Sequence, residues 1–238
     1  MKKVFTLITH DAADTADTEI PEEIELFGTD GGKSLYEILK QAKGKYTVIA
    51  EGDLTCELSP EFYTELDGVN ADILLFNGGY CLKTSVLKSV QQKLCTDKFT
   101  AQAYASLSAK SIIKLDKFKP FEFSPIKAEY SETDEANLYN VLEEFKKAKS
   151  RLTKDVYSFT LDLICTKLVS FYTGAMLAIH AGGLSCDTLK QFDEKLKENI
   201  VLYLTLDKRF TAADLPKLRK NNFKFGFFTY NKLKKAQK

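Results

Sequence analysis

The sequence predicts an α/β protein: a mostly parallel sheet with flanking helices, followed by a C-terminal part that is all helical. Three observations carry that prediction. Short, nearly continuous apolar runs at Val4–Ile8, Lys45–Ala50 and Ala71–Asn77 have the composition of strands buried on both faces. Segments with apolar residues at helical spacing fall between them, the alternation that builds a parallel sheet. Beyond Pro125 the strand signals stop and only helical stripes follow. The chain therefore reads as an α/β domain over 1–127 and a helical region over 128–238.

Taken in order, Val4–Ile8 is a first buried strand. Asp11–Glu23, small and acidic with one proline, reads as a loop, and Glu25–Gly28 as a second strand closed by the turn Thr29-Asp30-Gly31-Gly32. Leu35, Ile38, Leu39 and Ala42 stripe one amphipathic helix, capped by Ser34 and stopped by Gly44. The strand Lys45–Ala50 follows. Ser59-Pro60-Glu61 starts a second helix, with a capping serine and proline in the first turn, and Phe62, Tyr63 and Leu66 are its buried side. Ala71–Asn77 is a further strand, closed by Gly78-Gly79. Thr84–Leu94 and Lys98–Leu107 read as helices, Ile112–Leu115 and Phe121–Phe123 as short strands.

Three stripes follow. The first is Leu138, Leu142, Phe145 and Leu152; the second runs from Leu161 to Ile179 and ends at Gly182-Gly183; the third is Leu189, Phe192, Leu196, Ile200 and Tyr203. The second is the most apolar segment, but Asp162, Lys167, Thr173 and Gly174 interrupt it. It reads as a core helix and not a membrane span. The tail, Phe223 to Lys238, joins aromatics to lysines. It is expected to be a solvated end whose aromatics pack back, with peripheral membrane or protein contact as the second reading.

The balance of 34 Lys+Arg against 33 Asp+Glu provides no field that would recruit nucleic acid or an anionic surface. The five cysteines are widely spaced with no C-x-x-C, so reduced thiols in a cytoplasmic protein are expected. The two histidines, His10 and His180, allow no triad with a G-x-S-x-G elbow. Neither a Walker loop, a G-x-G-x-x-G nor an H-E-x-x-H occurs.

The stretch with most chemistry is Gly44–Asp53, an apolar strand that delivers Glu51 and Asp53 at its far end. Residues i and i+2 of a strand lie on one side, roughly 7 Å apart, and two such carboxylates can share a hard divalent cation with phosphate oxygens; the other reading is an inert, solvated acidic turn after a buried strand. His10-Asp11 also follows a strand end, where α/β sites form.

The run Lys33–Asp53 resembles family 2 glycosyltransferases of the GT-A fold, in which a helix ending in Ala-x-Gly-Glu/Lys-Tyr leads into the strand carrying a D-x-D motif. Ala42, Gly44, Lys45 and Tyr46 match, Pro60 falls near the place of the next helix, and Ala71-Asp72-Ile73 looks like the next strand. Thr96-Asp97 with Phe99 looks like the family's Glu-Asp pair. The resemblance spans roughly residues 4 to 123 and implies a shortened GT-A-like domain. It further implies Mg²⁺ or Mn²⁺ on Glu51 and Asp53, and Asp97 as the base that takes a proton from the acceptor hydroxyl. Asp30, with Asp11, would contact the nucleotide. The partners implied are a nucleotide-sugar donor and a glycan or polymer acceptor.

The pattern also departs from the family. Glu51 and Thr96 replace acids of the two motifs, and Asp11–Glu23 is too short and polar for the helix that normally follows the first strand. A catalytically inactive glycosyltransferase-fold interaction or scaffold protein is the alternative. A small-molecule crevice near Asp30, Glu51 and Gly78 is a third reading.

Overall fold

The computed structural model describes residues 4–9, 22–29, 32–50, 54–123 and 128–212. It divides into two compact units, Met1–Ile126 with Ala148–Ser158, and Lys127–Lys147 with Phe159–Lys238. His10, Asp11, Asp30, Glu51, Asp53 and the aromatic–lysine tail lie outside the described residues.

In the first unit the strands are β1 (Phe5–Thr9), β2 (Ile24–Gly28), β3 (Tyr46–Ile49), β4 (Leu54–Cys56), β5 (Ile73–Phe76), β6 (Gly79–Lys83), β7 (Ile112–Leu115) and β8 (Phe121–Phe123). The helices between them are α1 (Leu35–Gln41), α2 (Pro60–Leu66), α3 (Thr84–Lys88) and α4 (Lys98–Ser108). Six strands form one sheet in the order β2-β1-β3-β6-β5-β7. β1 is parallel to β2 and β3, β5 is parallel to β7, and β6 is antiparallel to both of its neighbours. All strands but β6 therefore point one way. β4 and β8 make a separate antiparallel pair.

Strand alternation sorts the core into two faces. Phe5, Leu7, Tyr46, Val48, Leu74 and Phe76 meet Phe62 and Leu66 of α2 and Phe121 of β8. Phe62 stacks 5.9 Å from Phe5 and stands edge-on 5.6 Å from Phe76. Burying a side chain of this kind stabilises by about 1.5–3 kcal/mol. The alternating residues, Thr6, Ile8, Thr47, Ile49, Ile73 and Leu82, are also buried and belong to the opposite face. α3 lies against β3 and β6, α4 against β6, and α1 against α3. The Thr47 and Thr84 hydroxyls share a hydrogen bond of 2.9 Å there. Lys88 Nζ donates to the carbonyls of Lys40 and Ala42 at 3.1 and 2.7 Å, occupying groups that the end of α1 leaves open.

Local signals explain the helix starts. Ser34 accepts from the Glu37 amide while Glu37 accepts from the Ser34 amide, a reciprocal capping box. Ser59 caps α2 ahead of Pro60. Elsewhere the structure corrects the sequence reading. Thr84–Leu94 is not one helix: α3 ends at Lys88, and a 3-10 turn follows at Gln92–Leu94. Ser89 Oγ donates to the Val86 carbonyl at 2.6 Å and competes for a helical acceptor. Gly78-Gly79 does not simply close a strand. Asn77-Gly78 is the two-residue loop of a β5–β6 hairpin, with Phe76 opposite Gly79 and Gly78 at φ +87°.

The second unit is helical, built from α5 (Glu132–Ala148), α6 (Lys154–His180), α7 (Cys186–Lys197) and α8 (Ile200–Ala212), of which 148 and 154–158 belong to the first unit. Its core includes Leu138, Phe145, Ile164, Leu168, Phe171, Tyr172, Phe192 and Leu206. The Phe171 and Phe192 rings are 4.7 Å apart. α6 is long and apolar enough to cross a membrane by length and composition, yet Ile164, Cys165, Leu168, Tyr172 and Ala175 form a fully buried stripe along it. The expected third helix is two. Asn199 ends the run after α7, and its side chain accepts from the Leu202 amide at 3.4 Å to begin α8.

Candidate functional site

β1 is the hinge of the topology. The chain leaves it to form β2 on one side and returns to form β3 on the other, so the strand order reverses at β1. In open α/β sheets, ligands bind outside the carboxyl ends of the strands at such a switch point. Thr9 pairs with Gly28 and Ile8 with Ile49, so the three carboxyl ends are level. The pairing carries slightly further, from the Thr29 amide to the Thr9 carbonyl at 3.0 Å and from the Ala50 amide to the Ile8 carbonyl at 2.8 Å. Asp11 follows Thr9 by two residues, Asp30 follows Gly28 by two, and Glu51 and Asp53 follow Ala50. All four acids issue from this one edge, although their own placement lies outside the described residues.

β3 owes its position to the sequence that precedes it. Gly44 is pressed onto β1: a Cβ there would lie 2.4 Å from the Phe5 carbonyl carbon and 2.5 Å from the Thr6 nitrogen. Its amide donates to Thr6 Oγ1 at 3.0 Å, and Thr6 Oγ1 donates to Glu25 Oε2 at 2.8 Å. The same carboxylate oxygen accepts from the Lys43 amide at 2.7 Å. The glycine expected to stop a helix is thus required by a close approach between backbones. Lys45 Nζ and the Tyr46 hydroxyl both donate to the Val69 carbonyl, the tyrosine at 3.2 Å. Burial, with the nearby Cys81 second, pushes the Tyr46 hydroxyl up to about 12, so it is a neutral donor.

Asp97 stands at the N-cap of α4. Its Oδ1 accepts from the Thr100 amide at 2.7 Å, and its own amide donates to Thr100 Oγ1 at 3.1 Å. That is a complete capping box. One turn of α4 then reaches β3. Lys98 Nζ donates to the Ala50 carbonyl, and Gln102 Nε2 donates to the Ile49 carbonyl at 3.3 Å. The structure therefore ties the Thr96-Asp97 segment to the end of the strand that leads into Glu51 and Asp53. Burial, and secondarily the Asp97 charge, push the adjoining Cys95 thiol up to about 11 and keep it protonated. Gly78 lies on the same sheet edge but at the β5–β6 hairpin, with β6 between β5 and β3.

Sequence reasoning missed Lys98 and Gln102. Their one available signal was their i, i+4 spacing on a common helix face, and nothing local connects that face to β3. Among the described residues no three His, Cys, Asp or Glu side chains converge as a metal site. The metal reading therefore rests on the carboxylate chemistry of Glu51 and Asp53 alone.

No protein-family model matches this chain, and no curated protein does. Among solved structures it is similar to the crystal structure of S. aureus TarS, with a TM-score of 0.45 and 11% identity. The match covers 87% of this chain and 55% of that one, so the chain spans little more than half of TarS. A likeness of this degree carries no argument about family or chemistry.

Proposed function

We propose that the chain is a glycosyltransferase-like protein of GT-A type, with its site at the carboxyl ends of β2, β1 and β3. The observation that carries this reading is the convergence of those strand ends at the switch point, with the Asp97 segment bonded to the end of β3. Glu51 and Asp53 would hold Mg²⁺ or Mn²⁺, a pair of hard oxygen donors with coordination sites left for phosphate and water. Such an ion neutralises charge on a departing nucleoside diphosphate. Asp11 and Asp30, leaving the two neighbouring strands, would contact the nucleotide. Asp97 would accept the proton of the acceptor hydroxyl. The donor is a nucleotide sugar and the acceptor a glycan or polymer. Five free cysteines, three of them buried, favour a reducing compartment, and we place the protein in the cytoplasm.

One observation favours the second reading, an inactive glycosyltransferase-fold scaffold. The Asp97 carboxylate already caps α4, a structural task that accounts for an acid at that position without any chemistry. Melting the protein with UDP-, GDP-, CDP- and dTDP-sugars, each with and without Mn²⁺, separates the two. A ligand at 100 times its Kd stabilises by about 2.7 kcal/mol. The transferase reading expects a metal-dependent shift with one nucleotide series, abolished in Glu51→Ala and Asp53→Ala. Absence of a shift with every nucleotide refutes it and leaves the scaffold.

A further inference from the structure

α8 is apolar on two opposite sides. At about 3.6 residues per turn, Leu202 and Leu206 share one face, and both are fully buried. Ile200, Val201 and Leu204 fall on the other face and are 59%, 49% and 52% exposed. A surface helix ordinarily turns charged and polar residues outward. Among the described residues only one other large hydrophobic, Ile113, is exposed, so this is the one place where such side chains gather in water. Lysines flank the patch. Lys208 is exposed one turn past Leu204, and Lys197 Nζ lies 5.9 Å from the ring centre of Tyr203, beside the first turn. Stems of this length run along apolar surface and keep the ammonium in a polar layer.

The sequence that follows α8 adds charge of one sign. Residues 213–238 lie outside the described part, but their composition is plain: eight Lys+Arg, a single acid, Asp214, and five aromatics from Phe223 to Tyr230. Their net charge is +7, which leaves −6 on the preceding 212 residues of a chain whose total is +1. The near-equality of acids and bases over the whole chain thus conceals a segregation, and a block of like charge is often an interaction segment. We propose that the outer face of α8 and the basic aromatic sequence after it form one surface for an anionic phospholipid bilayer. Ile200, Val201 and Leu204 enter the headgroup–acyl boundary, and the lysines meet the headgroup phosphates. The charge selects an anionic partner. A nucleic acid would also attract the lysines and stack on the aromatics, but it offers nothing to three aliphatic side chains. A bilayer buries them, and attachment strengthens with both buried apolar area and attraction to anionic lipid. The surface belongs to the second unit and does not depend on the transferase reading.

The test sediments the full chain with vesicles of equal parts phosphatidylcholine and phosphatidylserine, beside vesicles of phosphatidylcholine alone. The expected result is binding to the mixed vesicles that weakens with added salt, and little binding to the neutral ones. Val201→Ser with Leu204→Ser should weaken it roughly 10-fold or more. The melting temperature of that variant without vesicles should equal the wild type's, because both side chains face water. Should the double variant fail to fold, the comparison passes to Lys208→Glu at an exposed position, expected to bind roughly 5-fold more weakly or worse. Failure of the wild type to sediment with the mixed vesicles overturns the proposal. So does undiminished binding by the double variant or, where that does not fold, by Lys208→Glu. A double variant that melts lower without vesicles shows that the chain itself covers the face, and a dimer that the double variant dissolves shows that a second copy does; either result overturns it. Binding of a single-stranded RNA oligonucleotide in place of vesicles does the same.

Discussion

Gly44→Ala tests whether the glycine before β3 is needed for close approach. The added Cβ would sit 2.4 Å from Phe5 C, 2.5 Å from Thr6 N and 2.7 Å from Thr6 Oγ1, whereas ordinary contact begins at 3.4 Å. One of the two backbones must withdraw by about 1 Å, in keeping with an overpacking cost of about 1–3 kcal/mol. β1 cannot yield cheaply, because it is paired on both sides. The withdrawal also stretches the Gly44 amide–Thr6 Oγ1 bond, which adds about 0.5–1.5 kcal/mol. The expected loss is about 2–4 kcal/mol, a large share of a typical stability of roughly 5–15 kcal/mol. Urea unfolding followed by far-ultraviolet circular dichroism measures it, fitted with two transitions if the units unfold separately. Gly78→Ala is the control: its site is roomy, the nearest atom being the Lys119 Cε at 3.8 Å, and its cost is that of a φ of +87°, about 1–2 kcal/mol. A Gly44→Ala protein within about 0.5 kcal/mol of the wild type, inside the range of an ordinary surface change, would refute the close-approach argument.

Two further outcomes follow from the same residues and their neighbours. Asp97→Ala should lose about 0.5–2 kcal/mol with the α4 cap, whereas Asp97→Asn, an equally good cap, should keep it. If Asp97 is also the base, Asp97→Asn loses about 10²- to 10⁴-fold in transfer rate at unchanged stability; full activity in that variant would remove Asp97 from the chemistry. Burial raises the Tyr46, Tyr63, Tyr130 and Tyr139 hydroxyls and the Cys56 thiol to about 12, and the Cys95 thiol to about 11. The unfolded chain releases these protons first, at about 8.5 for thiols and 10 for tyrosines. The contribution of these groups to stability should therefore be constant below about pH 8 and fall from there toward pH 12. Urea midpoints across that range check it, and a flat or rising profile would contradict the burial assigned to these groups.

How much of this was legible depended on whether the cause lay nearby in sequence. The starts of α1 and α2 could be read because Ser34, Glu37, Ser59 and Pro60 act within one turn of themselves. The mostly parallel sheet could be read because β1, β3 and β5 are buried on both faces and leave continuous apolar runs. β6 was hidden, since Gly79–Lys83 begins in glycine and ends in lysine, but the Asn77-Gly78 dipeptide is a hairpin signal that identifies it. β8 was expected as the short strand Phe121–Phe123, but its partner β4, three residues long, is held by pairing across the chain, which no local pattern encodes. Gly44 carried the right residue for a different reason: its constraint comes from Phe5 and Thr6, far away in sequence. The candidate acids were readable as chemistry. What brings the segment of Asp97 to the end of β3 is Lys98 and Gln102, an ordinary pair on a helix face until the fold is known.

The two ends of β3 are held by different means, and the difference bears on function. At its amino end the strand is held by backbone contact and neutral hydrogen bonds, through Gly44, Thr6 and the Tyr46 hydroxyl on Val69. At its carboxyl end the β6 pairing has stopped, and α4 side chains bond the Ile49 and Ala50 carbonyls. A continued ladder would have paired Ile49, whose carbonyl Gln102 bonds instead, whereas Ala50 turns its amide to β1 and its carbonyl takes the Lys98 ammonium in addition. Among the described residues, the end of β3 has no strand neighbour on its β6 side, and the two α4 side chains bond Ile49 and Ala50 there. Sites demand that combination, because ligating groups work only when the elements that carry them are fixed. The β6 pairing stops at Thr47, four residues before Glu51, and the nucleotide-sugar melting series is what separates the transferase reading from the scaffold.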